Sequence, residues 1–284
     1  MITDSETNTV YVSDLLKEKY PELHTGLGSI LKAEKIPLLE IKSTRDIWCR
    51  DYMPIQITGD RFVLFKYDPD YLKPSKYRHL GTGQAEVMAS LNLNPICSRM
   101  VADGGNIVRH HNKVILTDKI FNENSDWDRQ DNLNHLRTLL GVEEVIIIPK
   151  FPNDFTGHSD GMVRFVNHQT VLLNDFSKYN PTYFEKLKKS LKIHGLNITI
   201  LPWDGWKNTF DEDDTGDYIN FLHVGNLIIL PEFSTATDIA SKTVIRECFP
   251  KAKVIGIDGR RIALEGGILN CCTWNIKTNL NWEI

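Results

Sequence analysis

The sequence lacks the features that mark several large classes of protein. Its 33 Lys and Arg residues do not outnumber its 37 Asp and Glu residues, so it has no basic excess to neutralise phosphates, and we expect no nucleic-acid partner. No apolar run approaches the roughly 20 residues that span a bilayer, so we expect no membrane partner. The first residues, Met1–Glu6, are acidic and do not resemble an export signal, which predicts a cytoplasmic location.

Cysteine is scarce, and its spacing excludes two kinds of site. The chain has five cysteines, an odd number, and no two of them are separated by two residues. We therefore expect neither a disulfide framework nor a structural zinc site, and a special cysteine would be special for its reactivity. The cysteines are Cys49, Cys97, Cys248, Cys271 and Cys272.

Linkers are also missing, and a weak internal repeat runs through the chain instead. Acidic residues recur at intervals of 48 to 57 residues, and each precedes a strand; in all but the last, a polar turn and a second strand follow. Helix-like apolar spacing fills gaps between these units at 132–140, 181–193 and 235–249, and short buried strands are predicted at 145–148 and 253–256. The acidic marks are Asp51, Asp103, Asp160, Asp217 and Glu265.

The repeat predicts one α/β domain over residues 1–284, built as a pseudo-symmetric propeller of five blades. In such a ring the acidic starts would converge on the centre. The fifth unit begins at Glu265 and runs out of chain before a second strand. Hairpins that begin with Asp-Gly are also ordinary turn chemistry, and the recurrence of the polar starts with the period favours the ring over coincidence.

Four segments contain residues that could carry chemistry: 44–54, 103–106, 157–161 and 266–273. Each also has a structural interpretation: an Arg-Asp network around Trp48, a plain glycine turn, a structural histidine, and a pair of small buried cysteines. His158 and Asp160, two positions apart on a predicted strand, would project to the same face. Cys271 and Cys272 would project to opposite faces, so at most one of them can face a shared site.

Taken together, the four segments indicate a nucleophilic enzyme. A ring would place a cysteine, a histidine and several carboxylates in one pocket, and a cysteine with a histidine is typical of nucleophilic catalysis with proton transfer. Neighbouring carboxylates would raise the pKa of the cysteine, unless the substrate is itself a cation. A planar guanidinium offers donors that paired carboxylates match, so the pattern favours attack on a guanidinium carbon.

These segments resemble the agmatine deiminases and the bacterial-type peptidylarginine deiminases, which belong to the guanidine-modifying superfamily with a pentein-like five-bladed α/β propeller. The matching segments are 46–51, 103–106, 157–160, 218–221 with 230–233, and 266–273, and they follow the family's order.

The resemblance implies a role for each matching residue. Cys271 would be the nucleophile and His158 the general acid and base. Asp51 and Asp160 would grip the guanidinium nitrogens, and Asp103 would hold the His158 ring. Two further residues, Trp48 and Asn220, match positions that line the substrate channel. No metal and no organic cofactor is expected, because the substrate supplies the positive charge.

The departures from the family pattern leave the guanidino substrate open. Asn270 stands where a histidine is common, and Asp103 replaces the glutamate usual in agmatine deiminases. The acidic run at 211–214 could attract an ammonium tail, which favours agmatine, or could be a solvated loop.

The alternatives are a peptidylarginine or free-arginine deiminase, an amidinotransferase or dimethylarginine-type enzyme, and a non-enzymatic binding module. A small cationic guanidino compound is the expected partner, and assembly as a homo-oligomer is left open.

Overall fold

Five small sheets of three strands each form the framework of the protein in a computed structural model, which describes residues 1–152, 154–208 and 213–278. Within these ranges, the strands are β1 (Thr9–Ser13), β2 (Leu38–Ile41), β3 (Ile55–Gln56), β4 (Phe62–Lys66), β5 (Ile96–Val101), β6 (Val108–His110), β7 (Lys113–Thr117), β8 (Glu144–Ile148), β9 (Val163–Asn167), β10 (Thr170–Asn174), β11 (Asn197–Leu201), β12 (Leu222–Val224), β13 (Leu227–Glu232), β14 (Lys253–Asp258) and β15 (Thr273–Ile276). The α-helices are α1 (Leu15–Lys19), α2 (Pro21–Ala33), α3 (Cys49–Tyr52), α4 (Gln84–Ser90), α5 (Lys119–Glu123), α6 (Arg129–Leu140), α7 (Pro181–Lys192) and α8 (Thr237–Cys248).

All five sheets share one topology. The middle strand pairs antiparallel with the first strand of its unit and parallel with a third strand that follows a helix, as in β6-β7-β8 and β9-β10-β11. Parallel neighbours require a crossover connection, and α2, α4, α6, α7 and α8 lie in the five crossovers. The α/β fold of five repeated units, predicted from the spacing of the acidic residues, is confirmed.

The fifth unit is completed by the other end of the chain. The sequence after Glu265 has one strand, β15, and no partner strand follows it within the described residues. Instead, β15 pairs antiparallel with β1, with Thr9 opposite Ile276 and Tyr11 opposite Trp274, and β1 pairs parallel with β2. The two ends of the chain therefore close the ring.

The predicted helices exist, and their ends have identifiable causes. The helix expected at 132–140 begins three residues earlier, because Asp128 accepts a hydrogen bond from the amide of Asp131 and starts a polar first turn. It ends at Gly141, whose φ of +63° is in the left-handed region. The helix expected at 181–193 is α7, and the one expected at 235–249 is α8.

An apolar stripe holds the helices against the sheets. In α2, Leu23, Leu27 and Leu31 recur at helical spacing and pack into a core cluster with Val10 of β1 and Leu222 of β12. Burying a leucine side chain stabilises the fold by about 1.5–3 kcal/mol. The longest described helix, α2, has 13 residues, and none of the described helices has the length and apolar character to cross a membrane.

Candidate active site

A cavity of about 400 Å³ lies where the starts of several units meet. Six of the seven site residues predicted from the sequence line this cavity. The seventh, Asp103, is not a lining residue and contacts His158. These six are Trp48, Asp51, His158, Asp160, Asn220 and Cys271. Most of them lie in turns that precede the first strand of a unit; these first strands, β3, β6, β9, β12 and β15, are called the inner strands below. The prediction that His158 and Asp160, or the two cysteines, lie on strands was therefore wrong.

Cys271 lies in the turn before β15, at the cavity wall, and is almost buried. Asn220 positions it from two sides: its side-chain amide donates to the sulfur across 3.2 Å, and its oxygen accepts from the Cys271 amide across 3.3 Å. Cys272 packs into the hydrophobic core, where burial raises the pKa of its thiol to about 12. One of the two neighbouring thiols therefore faces the cavity.

His158 is held from behind by a buried chain of charges. Its Nε2 lies 2.9 Å from Asp103 Oδ2, and the same oxygen accepts a hydrogen bond from Lys119 Nζ at 3.0 Å. Lys119 is itself 3.1 Å from Glu123. Burial works to raise the pKa of Asp103, but the bonds from His158 and Lys119 hold that pKa below its usual value. Sequence reasoning missed Lys119, since one lysine at a helix start is not a distinctive signal.

Two carboxylates face the cavity on either side of a glycine. Gly105 donates its amide to Asp51 Oδ1 at 2.9 Å, and its carbonyl accepts from the Asp160 amide at 3.1 Å. A Cβ at Gly105 would lie 2.6 Å from His158 Nδ1 and 2.8 Å from Asp51 Oδ1, closer than real Cβ atoms come. The glycine is therefore required so that His158 and Asp51 can approach each other. On the other side, the side-chain amide of Asn270 donates a hydrogen bond to Asp160 Oδ2 at 2.6 Å.

The protein groups around the cavity by themselves favour a neutral thiol. Burial, with the nearby Asp160 and Asp51, raises the pKa of Cys271 well above its usual value. Burial also raises the pKa of Asp51, the effect of the other carboxylates adding to it. Burial alone would lower the pKa of His158, but the nearby Asp51 and Asp103 raise it to about 9. A bound cation would lower the pKa of Cys271 and the pKa of Asp51, because a positive charge favours both the thiolate and the carboxylate.

The Gly266-Gly267 pair brings Trp48 close to the last segment of the chain. A Cβ at Gly267 would lie 2.7 Å from the Trp48 ring, so a side chain there would displace the indole from the cavity wall. Trp48 and Asp51 come from one segment, in which Asp46 accepts a hydrogen bond from the Trp48 amide at 2.9 Å. The indole therefore borders the same space as the carboxylates, where an aromatic ring can contact a flat cation.

One wall of the cavity comes from a long connection between β4 and α4, residues 67–83. Tyr71 packs edge-on against the His158 ring at 6.1 Å between centroids. Sequence reasoning missed this wall, although a connection this long often carries function and could have signalled it. Its cavity-lining side chains are Tyr67, Tyr71, Leu72, Pro74, Tyr77 and Leu80.

Carboxylates also line the cavity beyond Asp51 and Asp160. Asp46, Asp154, Asp214 and Glu265 contribute to the wall, and the lining residues among those described include no lysine or arginine. Burial, together with Asp217 and Asp154, raises the pKa of Asp214 well above its usual value. Of the predicted acidic run, Asp211 and Glu212 lie outside the described residues. The cavity as a whole suits a cationic ligand.

The described residues contain no group of three or more His, Cys, Asp or Glu side chains arranged to hold a metal ion. The cavity itself supplies a thiol, an imidazole and several carboxylates. A thiol beside a histidine that is held by a carboxylate is suited to covalent catalysis on a bound cation.

Comparison with known proteins gives a consistent family. Residues 1–276 match the Porphyromonas-type peptidyl-arginine deiminase family. The chain is 25% identical over 303 aligned positions to a "Putative agmatine deiminase" of Marinomonas sp. (strain MWYL1), covering 92% of this chain and 81% of the relative.

Solved structures share the fold. An agmatine deiminase of C. jejuni has a TM-score of 0.81 at 19% identity, covering 98% of this chain and 96% of its own. An agmatine deiminase of Enterococcus faecalis has a TM-score of 0.76 at 16% identity, covering 98% and 95%.

Proposed function

The chain belongs to the Porphyromonas-type peptidyl-arginine deiminase family. We therefore propose that it is a hydrolase that removes ammonia from a guanidino substrate, and that agmatine is its preferred substrate. The observation that carries the proposal is the cavity itself. One thiol, one carboxylate-held imidazole and a ring of carboxylates surround a space with no lysine or arginine among its described lining residues.

Substrate binding prepares the nucleophile in this proposal. Asp51 and Asp160 pair with the guanidinium nitrogens, and the indole of Trp48 covers its flat face. The positive charge of the substrate lowers the pKa of Cys271, so that the thiol releases its proton to solvent. The thiolate forms where it is needed, because the same cation that it will attack stabilises it.

The first chemical step forms a covalent intermediate. The Cys271 sulfur bonds to the guanidinium carbon, and the tetrahedral adduct expels one nitrogen. His158, protonated because its pKa is raised to about 9, gives its proton to that nitrogen, which leaves as ammonia. A thiouronium group then joins the substrate carbon to Cys271.

The second step returns the enzyme to its starting state. Neutral His158 takes a proton from a water, whose oxygen bonds to the thiouronium carbon. The carbon–sulfur bond breaks as the added hydroxyl gives its proton to the Cys271 sulfur, which restores the thiol and leaves a ureido product. Asp103 keeps its negative charge throughout and stabilises the imidazolium whenever it forms.

The acidic lining supports an amine at the far end of the substrate. A free arginine would bring its α-carboxylate towards Asp154 and Asp214, with no lysine or arginine among the described lining residues to pair with it. Agmatine carries an ammonium group instead, which ionised carboxylates attract and whose positive charge opposes the raised pKa of Asp214. We therefore propose agmatine first, with peptidylarginine second, since a peptide bond removes the carboxylate charge.

An ammonia-release assay over agmatine, free arginine and a peptidylarginine tests this proposal. We expect turnover of agmatine that Cys271→Ser abolishes. Cys272→Ser, the same change at the neighbouring buried thiol, is the matched control and should retain turnover. A guanidine mimic that alkylates thiols should label Cys271 and leave Cys272 unmodified.

Three outcomes would redirect the proposal. Turnover of a peptidylarginine with none of agmatine would move the enzyme to the peptidylarginine branch. Diversion of the intermediate to an added amine would indicate an amidinotransferase. Selective labelling of Cys271 without turnover of any guanidino compound would favour a binding module on the same fold.

Location is a separate proposal. The five cysteines are all unpaired, and the reaction needs a reduced Cys271. Both points support a cytoplasmic location, where thiols stay reduced. Fractionation of cells that express the chain, with thiol labelling of each fraction, would test it.

A further inference from the structure

A second cavity, of about 690 Å³, lies at the other end of the inner strands. In one segment, residues 158–161 border the catalytic cavity, and residues 164–167 border this second one. Asp160 belongs to both linings. The chain therefore passes from one cavity to the other along β9, and Asp160 lies between the two.

Three buried arginines line the second cavity: Arg50, Arg109 and Arg164. They come from three different units of the ring, so the fold brings together charges that are far apart in the sequence. Burying a guanidinium is costly unless an anion or several acceptors replace its water. Arg50 meets that need with neutral groups only, the carbonyl of Asn270 and the side chain of Asn275.

Among the residues that the structure describes, one carboxylate lies within ion-pair distance of this cluster. Asp4 Oδ2 is 2.7 Å from Arg164, and Asp4 Oδ1 is 3.7 Å from Arg109. Asp4 belongs to a short 3-10 turn, Asp4–Glu6, near the start of the chain. Three guanidinium charges therefore share one carboxylate, and Lys251 adds a further positive charge to the same lining.

Burial and the excess positive charge lower the pKa of one of the three arginines, Arg109. Burial, and then repulsion from Arg50 and Arg164, lowers the pKa of Arg109 to about 10, against the effect of Asp4. The two histidines of the lining do not add charge at neutral pH, because burial lowers the pKa of His110 and of His223 to about 4. The described lining thus carries four cationic side chains against the two carboxylates of Asp4 and Asp160, and its wall is net positive.

We propose that this second cavity binds a small oxyanion, a phosphate or a carboxylate group, between Arg109 and Arg164 and beside Asp4. The planar forks of the arginines suit the oxygens of either group, and the volume holds a molecule larger than the bare group. Asp4 is the internal carboxylate of this site and competes with the ligand for the same donors. The proposal does not depend on the deiminase reaction.

Titration calorimetry on the whole chain tests the site, with orthophosphate and citrate as the two probes and sodium chloride at matched ionic strength as the reference. We expect at least one probe to bind with one site per chain. Tighter binding of orthophosphate would indicate a phosphate ligand, and tighter binding of citrate a carboxylate ligand. Either result supports an oxyanion site.

Two variants with opposite expected effects on affinity distinguish a change in the site from misfolding. Arg109→Gln removes a donor and should weaken binding about tenfold or more, while Asp4→Asn removes the competing carboxylate and should tighten it about tenfold. Arg246→Gln, the same loss of charge at an exposed helix position outside the cavity, is the matched control and should change neither value.

A variant that merely loosens the fold cannot tighten binding, so Asp4→Asn is the decisive test. The proposal is overturned if neither probe binds better than chloride. It is also overturned if Asp4→Asn fails to tighten binding, or if Arg109→Gln weakens it no more than Arg246→Gln does. Thermal unfolding of each variant without the probes verifies that the folded chain was titrated.

Discussion

The substitution Gly105→Ala probes the centre of the candidate site with a single methyl group. The new Cβ would lie 2.6 Å from His158 Nδ1, whereas ordinary contacts begin at 3.4 Å, so the ring or the loop must move by about 0.8 Å. The backbone of Gly105 also holds Asp51 through its amide and Asp160 through its carbonyl. A shift of the loop would therefore displace three proposed catalytic groups at once.

The size of the expected effect follows from that displacement. Misplacing catalytic groups by about 1 Å costs about 100-fold in rate, so kcat/KM for ammonia release should fall about 100-fold. Overpacking a well-filled region costs about 1–3 kcal/mol, which urea unfolding measures. We expect the loss of activity to exceed what this modest destabilisation explains, because the variant remains folded at the assay temperature.

Gly28→Ala is the matched control for the same chemical change. Gly28 lies inside α2, and its nearest neighbour to a new Cβ is Leu38 at 3.8 Å, an ordinary contact. We expect unchanged kcat/KM and a gain of about 0.5–1 kcal/mol in unfolding free energy, since alanine favours the helix. Activity of Gly105→Ala within twofold of the unmodified protein would refute the argument that this glycine is needed for the approach of His158 and Asp51.

Three further predictions test other parts of the structure. Asp214→Asn should raise the KM for agmatine about fivefold with little change in kcat, whereas Asp213→Asn, outside the cavity lining, should change neither. The pKa of His158 is raised in the folded state to about 9, so its stabilising contribution is complete below about pH 6.5 and is lost as pH rises through 9. The unfolding free energy of the unmodified protein should therefore fall by about 3 kcal/mol more than that of His158→Gln between pH 6 and 10, and equal losses would contradict the raised pKa. Leu27→Ala should cost about 2–5 kcal/mol in urea unfolding and leave the KM unchanged, and a cost below 1 kcal/mol would contradict the packing described for α2.

Much of the fold was predictable because its signals are local. Each hairpin has two short apolar strands around a polar turn, and the spacing of their acidic starts reports a repeated unit without any knowledge of contacts. Helices such as α7 were recognisable from the spacing of the apolar residues that they bury, Tyr183, Phe184, Leu187 and Leu191. Ring closure was not predictable in the same way, because pairing of β15 with β1 joins segments from opposite ends of the chain.

The candidate site was predictable in part for the same reason. Asp103-Gly104-Gly105 and Gly157-His158 are short motifs whose glycines leave room that the structure uses. The buried cation behind Asp103 was not predictable, since Lys119 reaches Asp103 across a connection of 16 residues. The aromatic wall at 67–83 also escaped prediction, because its role depends on where the long connection folds back over His158.

The sequence by itself determined the residue types, the repeated unit and the sign of the ligand charge, since each of these depends on composition and on spacing along the chain. Only the tertiary structure decided that Lys119 lies behind Asp103, that the 67–83 connection forms a wall of the cavity, and which arginines gather at the far end of the inner strands. The physical reason is that these relations are distances between different units of the ring. Such distances arise only when the units pack and the two ends of the chain close the circle.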